Sequence, residues 1–302
     1  MLVRDILKIK DEFSAVECII ADYFLKAEDG IKGESVRSIA ASLYVAPSSI
    51  IRFCNKIGFD GYKSFKDTYL SECKYLSENF KSVDPNFPFK KKDSDLEVAS
   101  KIANLYTETV KDCLSLLKSN DLKRCTKMID ESDIVYVLSN STVQGVTDNF
   151  KDKLQKIGKQ VYVCEFFEDA YYSACYRGKK ACFIVISYSG ETPFMLRDMN
   201  KIASMKWPSI GITSYGKNSL SDMCDVVLCV STREKLVHKL GDYAIGISVM
   251  YILDAIYSCY FALHYDVNYT NRVNNIENYE HYFSKKKLGE RRSSNPILDD
   301  KK

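Results

Sequence analysis

Five short β-rich runs, separated by stretches of helical periodicity, constrain the fold of this chain more than any other feature. Strands that alternate with helices in this way form a parallel sheet with helices packed on both faces. The second half of the chain is therefore predicted to be an α/β domain with a five-stranded parallel sheet. The predicted strands are Ile134–Leu138, Val161–Cys164, Cys182–Ser187, Ser209–Thr213 and Val226–Val230.

The first part of the chain has a different pattern and is predicted to be all-α. Two apolar stripes follow each other at helical spacing, and Pro47 lies between them, where it suits the first turn of a helix. Gly58 is placed to end the second helix. Two short helices in this order are typical of a helix-turn-helix. The stripes are Val36, Ile39, Ala40 and Leu43, then Ile50, Phe53, Cys54 and Ile57.

The polar side of the second helix carries groups suited to DNA. Arg52 can contact guanine with two hydrogen bonds, and Lys56 can neutralise a phosphate. The pattern alone also fits an ordinary solvated surface on a small helical domain. The predicted DNA-binding residues are Ser48, Ser49, Arg52, Asn55, Lys56 and Lys63.

Composition limits the alternatives. The chain has 43 Lys and Arg against 40 Asp and Glu, a net charge of +3, so DNA affinity would have to come from a local patch. Its 11 cysteines are scattered without a CxxC pair, and the three histidines do not cluster, so we expect no metal and no cofactor. We also expect a cytoplasmic protein, because no signal peptide is visible and the apolar run 244–263 fits a buried helix better than a membrane span.

Changes in composition suggest where the domains begin and end. Asp84 to Pro88 has the residues of a linker, and the segment after Ser284 has seven basic and three acidic residues with little that is apolar. We predict a helix-turn-helix domain over 1–78, a linker and connecting helix over 79–118, an α/β domain over 119–265, and an extension over 266–302 that is largely a mobile tail.

A loop rich in hydroxyls follows the third predicted strand. Ser187, Ser189 and Thr192 surround Gly190, and Thr192 is placed as the N-cap of a helix that Pro193 opens. Free backbone N–H groups at such a helix start favour an anion, and ligands of open parallel sheets bind at this edge. A well-capped turn with no ligand has the same pattern.

The helical segment resembles the DNA-binding domain of the RpiR family of bacterial transcriptional regulators. Two positions depart from the family pattern, Tyr44 in the turn and Ala46 at the start of the second helix. The resemblance implies that the segment binds operator DNA. It rests on Val45, Ser49, Ile50, Arg52, Phe53, Cys54, Lys56, Ile57, Gly58, Phe59, Gly61, Tyr62, Phe65 and Lys66.

The hydroxyl loop is similar to the signature of sugar isomerase (SIS) domains, which have a three-layer αβα fold. By this resemblance, Ser187, Ser189, Gly190 and Thr192 bind the phosphate of a sugar. Such domains usually carry a G-x-G-x-S loop after the first strand, where this chain has Ser139-Asn140-Ser141-Thr142-Val143. We therefore assign Ser141 and Thr142 to the same predicted site.

A helix-turn-helix followed by a SIS domain is the arrangement of RpiR regulators. We predict a homo-oligomeric transcriptional regulator of carbohydrate metabolism that binds operator DNA and senses a phosphorylated sugar, and that is not an enzyme. One alternative is a sugar-phosphate isomerase with an accessory helical domain, and another is a DNA-binding dimer that responds to no ligand. The isomerase would need a general base, drawn from Glu165, Glu168, Asp169, Glu191, Glu234 and His238.

Overall fold

The computed structural model describes residues 2–78, 82–176 and 180–284. The chain begins with a helical domain in which serine side chains set two of the helix starts. Ser14 and Ser35 each accept a hydrogen bond from the backbone N–H three residues later, which satisfies a donor that has no partner inside the helix. The helices are α1 (Val3–Lys8), α2 (Ala15–Ala27), α3 (Val36–Ser42), α4 (Pro47–Lys56) and α5 (Gly61–Glu78).

Aromatic rings form the centre of this helical domain. The ring centroids of Phe24 and Phe65 lie 4.5 Å apart, and Phe65 stacks on Tyr69 at 5.5 Å. The Tyr69 hydroxyl donates to the Phe24 carbonyl oxygen at 2.6 Å, so this buried hydroxyl is satisfied. The cluster joins α2 to α5 and leaves α3 and α4 to pack around it.

A buried carboxylate fastens the first helix to the fifth. Glu72 of α5 is 1% exposed, and one of its oxygens accepts a hydrogen bond from the backbone N–H of Val3 at 2.7 Å. Burial disfavours the ionised form and raises the pKa of Glu72 to about 7. The ionised form of Glu72 therefore lowers the free energy of unfolding, and this effect grows as the pH rises.

The second domain contains the predicted sheet. Its strands are β1 (Ile134–Ser139), β2 (Gln160–Cys164), β3 (Ala181–Ile186), β4 (Ser209–Ser214) and β5 (Val226–Val230). All pairings are parallel and the spatial order is β2-β1-β3-β4-β5. The prediction of a five-stranded parallel sheet is confirmed.

Helices cover both faces of the sheet. One face packs on α6 (Asp95–Leu116), α7 (Ser119–Asp130), α8 (Gln144–Gln155) and α12 (Tyr243–Leu263). The other face packs on α9 (Phe167–Tyr176), α10 (Pro193–Ser204) and α11 (Ser219–Met223). The three-layer αβα architecture is therefore confirmed.

The long apolar helix α12 packs with one side on the sheet. Val249, Ile252 and Ile256 are buried against the strands and against α6, α7 and α8. Within the described ranges it is the one helix long and apolar enough to cross a membrane, yet its Asp254 pairs with Lys153 of α8 at 2.5 Å. After it, α13 (Tyr265–Ser284) is helical, so the predicted extension begins with an ordered helix. Residues 285–302, where the tail was predicted, lie outside the described residues.

Candidate nucleic-acid interface and ligand site

Helices α3 and α4 form the predicted helix-turn-helix. Ile50, Phe53 and Cys54 of α4 are buried in the domain core, so the opposite side of this helix faces solvent. The turn between the helices contains Tyr44, whose backbone φ is +54° and whose side chain is 98% exposed. A left-handed conformation is unfavourable for an aromatic residue, so the sharp turn is formed at a cost.

Several of the predicted DNA-binding residues are accessible to solvent. Ser48 and Arg52 lie on the solvent side of α4, and Ser49 is half-buried beside them. The Nε of Arg52 lies 3.4 Å from the Ser48 carbonyl oxygen, which directs the guanidinium along the exposed face. Lys63 is exposed in the first turn of α5. The structure leaves these side chains accessible, and their part in DNA binding stays a prediction.

Two other predicted residues make contacts inside the domain. The Asn55 side-chain oxygen accepts a hydrogen bond from the Gly61 backbone at 2.8 Å. The Lys56 ammonium contacts Glu17 at 2.8 Å and the Glu12 carbonyl oxygen at 2.7 Å. The hydrogen bond from Lys56 lowers the pKa of Glu17. Asn55 and Lys56 therefore orient α4 in this structure, and their part in DNA binding stays a prediction.

The two predicted ligand loops meet at the carboxyl edge of the sheet. In the β1–β3 pairing, Ser139 stands beside Ile186, so the loops that follow these strands are neighbours. The strand order changes direction at β1, since β2 lies on one side of it and β3 on the other. Open α/β sheets bind their ligands at such a switch point.

The hydroxyls of the loop after β3 are partly paired with each other. The side-chain oxygens of Ser187 and Thr192 lie 2.9 Å apart, and the Ser189 hydroxyl accepts a bond from the Glu191 backbone at 3.2 Å. Thr192 is the N-cap of α10, and its side chain makes no capping bond. The start of α10 therefore presents backbone N–H groups together with hydroxyls that can donate to an anion.

Gly190 is needed where it stands. Its φ is +68° and its carbonyl oxygen accepts a bond from Leu220. A Cβ at this position would lie 2.0 Å from the side-chain oxygen of Asn218. The neighbouring Glu191 binds the backbone and the hydroxyl of Ser219 at 2.8 and 2.7 Å, so it holds the loop against α11, as expected for a residue of the turn.

The loop after β1 has a different shape. Ser141 to Val143 form a single 3₁₀ turn before α8, and both Ser141 and Thr142 are exposed. Thr142 lines a cavity of about 220 Å³ beside the loops, whereas Ser141 does not. The structure thus brings Thr142 to the cavity, whereas Ser141 is exposed and does not line it.

This cavity lies on the α12 side of the sheet edge. Its walls combine apolar side chains with a few polar ones, the usual composition of a small-molecule site. Tyr188 is the member of the hydroxyl loop that lines it, so Ser187, Ser189 and Thr192 lie beside the cavity. The lining residues are Asn140, Thr142, Val143, Ile186, Tyr188, Ile212, Val230, Leu236, Lys239, Asp242, Ile245 and Val249.

Two larger grooves lie elsewhere. One of about 570 Å³ lies at the amino edge of the sheet, beside Trp207 and Asp225, and one of about 530 Å³ lies beside α5. Neither contains the hydroxyl loop. The carboxyl edge remains the better candidate, because it combines the switch point, the hydroxyls and the start of a helix.

Sequence reasoning missed Lys239 and Asp242. The Lys239 side chain is 8% exposed and its ammonium lies 3.1 Å from a carboxylate oxygen of Glu234, and it also contacts Asp242. The other Glu234 oxygen accepts a bond from the Ile245 backbone at 2.8 Å. Burial raises the pKa of Glu234. The sequence did offer one indication, a run of charged residues at 233–242 just before the apolar helix α12. Side chains in this position lie near the ends of the strands.

Comparison with known proteins agrees with both halves of this description. Residues 1–73 match the helix-turn-helix domain of the rpiR family, and residues 127–275 match the SIS domain. These matched ranges do not test the domain limits given above, which stay predictions.

Relatives of similar length are named as regulators. An HTH-type transcriptional regulator of Caldanaerobacter subterraneus is 24% identical, over 94% of this chain and 97% of the relative. Another from Thermotoga maritima is 23% identical, over 85% of this chain and 90% of the relative.

Two solved structures share the fold. The NanR protein of Vibrio vulnificus, complexed with ManNAc-6P, superposes with a TM-score of 0.58 at 17% identity, over 91% of this chain and 96% of NanR. The sugar isomerase domain of an RpiR transcription factor from Sphaerobacter thermophilus gives 0.52 at 13% identity, over 60% of this chain and 98% of that one. With these two matching domains and relatives named as regulators, the chain is an HTH-type transcriptional regulator that combines a helix-turn-helix domain of the rpiR family with a SIS domain.

Proposed function

We propose that this regulator binds operator DNA through α4 and that a phosphorylated sugar, bound at the carboxyl edge of the sheet, changes its affinity for the operator. The observation that carries the proposal is the meeting of two hydroxyl-bearing loops beside a cavity, in the same chain as an exposed helix-turn-helix. The bound ManNAc-6P of the Vibrio NanR structure supports a sugar phosphate as the class of ligand.

The DNA-binding half rests on the exposed face of α4. Arg52 can make a bidentate guanine contact, worth about 1–3 kcal/mol, and Ser48 and Lys63 can reach phosphates. We expect Arg52→Ala to weaken binding to DNA from upstream of this gene by roughly 5–150-fold, the same free energy written as a ratio of dissociation constants. Fluorescence anisotropy at low salt measures it.

Arg197→Ala is the matched control, since Arg197 is an exposed arginine of α10, far from the helix-turn-helix in sequence. It should bind DNA as the unaltered protein does. Equal binding by the Arg52 and Arg197 variants would contradict the assignment of Arg52.

The ligand-binding half rests on Ser187 and Thr192. Their hydroxyls bond to each other, and both can turn to donate to a phosphate. We expect the double change Ser187→Ala with Thr192→Ala to lose the calorimetric heat given by a panel of sugar phosphates. Ser204→Ala is the control, because Ser204 is an exposed hydroxyl at the end of the same helix, α10. Undiminished heat in the double variant would place the phosphate elsewhere.

We further propose that the site binds its ligand without converting it. Glu234, one of the predicted general-base candidates, is occupied by Lys239 and by the backbone of α12. We expect no aldose–ketose interconversion when the purified protein is incubated with the phosphates it binds. Turnover that disappears with Glu234→Gln would support the isomerase alternative.

The proposal includes a cytoplasmic homo-oligomer. Helix-turn-helix regulators use two copies of the recognition helix on half-sites about one helical turn apart. Sedimentation of the protein with operator DNA tests this, and a complex that contains one protein chain per operator would contradict it.

A further inference from the structure

The segment 231–242, which joins β5 to α12 and is called the β5–α12 loop below, contacts both domains and the cavity. Its two ends are fixed, since Ser231 is buried after β5 and Asp242 precedes α12. Between them, the loop bonds to the hydroxyl loop, to the linker and to the end of α5.

On the cavity side, the loop supplies a charged wall. Lys239 and Leu236 line the cavity of about 220 Å³, and Lys239 is held between Glu234 and Asp242. The hydroxyl of Tyr188, between Ser187 and Ser189, donates to the Glu234 carbonyl oxygen at 2.6 Å. A ligand at the hydroxyl loop is therefore one hydrogen bond away from this loop.

On the other side, the loop caps the last turn of α5. The guanidinium of Arg233 donates to the carbonyl oxygens of Tyr75 at 2.5 Å and Leu76 at 3.0 Å. These carbonyls belong to the helix end, where no partner inside the helix exists and where a positive charge is favoured by the helix dipole. Arg233 is thus a C-terminal cap supplied from the SIS domain.

A ring and a carboxylate tighten the same contact. Arg233 lies over the Tyr75 ring at 5.0 Å. The Tyr75 hydroxyl donates to Asp112 of α6 at 2.7 Å and accepts from the Thr232 backbone at 3.0 Å. Tyr75 is 6% exposed and Asp112 is fully buried. If the β5–α12 loop shifts, the end of α5 must move with it or these buried hydrogen bonds must break. The loss of each such bond lowers stability.

The linker is also hydrogen-bonded to the β5–α12 loop. The Asn86 side chain accepts from the Lys235 backbone at 2.7 Å and donates to the Arg233 carbonyl oxygen at 3.2 Å. Its own carbonyl oxygen accepts from Leu240 at 2.9 Å. Both chain segments that connect the DNA-binding domain to the sheet, the end of α5 and the linker, are therefore bonded to one loop.

We infer that the β5–α12 loop both contacts the effector, through Lys239, and transmits its binding to the DNA-binding domain, through Arg233. The inference rests on the proposed function and adds to it a binding residue and a route. Lys239 can exchange a carboxylate partner for a ligand oxygen, which moves the loop relative to Tyr188 and α12. Arg233 is a positioning residue, because it touches α5 and does not line the cavity.

The test uses the full chain and separates binding from coupling. Calorimetry measures the binding of glucose 6-phosphate, fructose 6-phosphate, glucosamine 6-phosphate and N-acetylmannosamine 6-phosphate. Anisotropy measures operator affinity with and without each of them. For Arg233→Gln we expect the same calorimetric heat of sugar-phosphate binding as for the unaltered protein. The ratio of operator affinities with and without effector should fall to about one. Allosteric ratios usually lie roughly between 5 and 150, so the loss is measurable.

Three further variants make the result specific. Lys239→Met should lose most of the heat while keeping operator binding without effector. Arg233→Lys keeps the charge but cannot reach both carbonyls in the same way, so it should give an intermediate ratio, and it replaces Arg233→Gln if that variant does not fold. Arg124→Gln is the control, because Arg124 also donates to a backbone carbonyl, that of Asp225, at the opposite edge of the sheet.

Each outcome decides something. An unchanged ratio in both Arg233 variants, or full heat in Lys239→Met, overturns the inference and leaves the proposed function intact. Heat in the unaltered protein with no change in operator affinity overturns both the coupling and the regulatory part of the proposed function. No heat with any of the four phosphates overturns the proposed ligand class and the inference with it. Loss of coupling confined to the Arg233 variants supports it.

Discussion

Replacing Glu72 by glutamine tests how the buried carboxylate between α1 and α5 affects stability. The pKa of Glu72 rises from its ordinary value of 4.5 to about 7, mainly because of burial. The folded chain therefore holds this proton at pH values where the unfolded chain has released it. Stability from this group is largest in acid and falls as the pH rises from 4.5 through 7.

The size of the effect follows from the two pKa values. A tenfold change in ionisation corresponds to about 1.4 kcal/mol, so above pH 8 the ionised Glu72 lowers the free energy of unfolding by about 3 kcal/mol. Glutamine resembles the protonated acid, because its oxygen can still accept the bond from Val3. We expect Glu72→Gln to be more stable than the unaltered protein by about 2–3 kcal/mol at pH 8 and nearly equal to it at pH 5.

Urea unfolding followed by circular dichroism at pH 5, 6, 7 and 8 measures this difference. Asp67→Asn is the control, since Asp67 is exposed on the same helix and its removal should leave the difference flat. A lower stability of Glu72→Gln at pH 8, or an advantage that is the same at pH 5 and pH 8, would contradict this expectation.

Three further changes test other features. Tyr44→Gly should raise the free energy of unfolding by about 0.5–1 kcal/mol in a thermal melt, because glycine adopts the left-handed turn freely and the lost side chain is exposed; a lower melting temperature would contradict this. Gly190→Ala should abolish the heat of sugar-phosphate binding, since its Cβ meets Asn218, and heat equal to that of the unaltered protein would show that the turn can adapt. With a thiol reagent at pH 8, the exposed Cys259 should react first, whereas Cys54 and Cys125, whose pKa burial raises to about 12, should react only on unfolding; early reaction of either would mean that the core opens.

The sequence was sufficient for features that depend on neighbours along the chain. The strands and α12 were predicted within about two residues, because runs of apolar residues and turn residues are local signals. Pro47, Gly58 and Thr192 stand at helix ends as predicted, since caps act within one turn of the helix.

The sequence was not sufficient for contacts between distant segments. Lys56 was assigned to the DNA face because of its position in the helix, but its partner Glu17 lies 39 residues earlier. Arg233 meets α5 across more than 150 residues, and no periodicity reports such a pairing. The sequence therefore indicated the two loops of the candidate site. The cavity wall that contains Lys239 was seen only in the structure.

The bond between Ser187 and Thr192 has a consequence for selectivity. Each hydroxyl already has the other as a partner, so a ligand gains little by bonding to one of them and leaving the other unsatisfied. A phosphate can accept from both hydroxyls at once and can also accept from the backbone at the start of α10, whereas the hydroxyl of a free sugar is uncharged and has only two lone pairs for these donors. With the ligand held as we propose, the protein would distinguish a phosphorylated sugar from the same sugar without its phosphate. It would therefore respond to a sugar that has entered metabolism and not to the free sugar available to the cell.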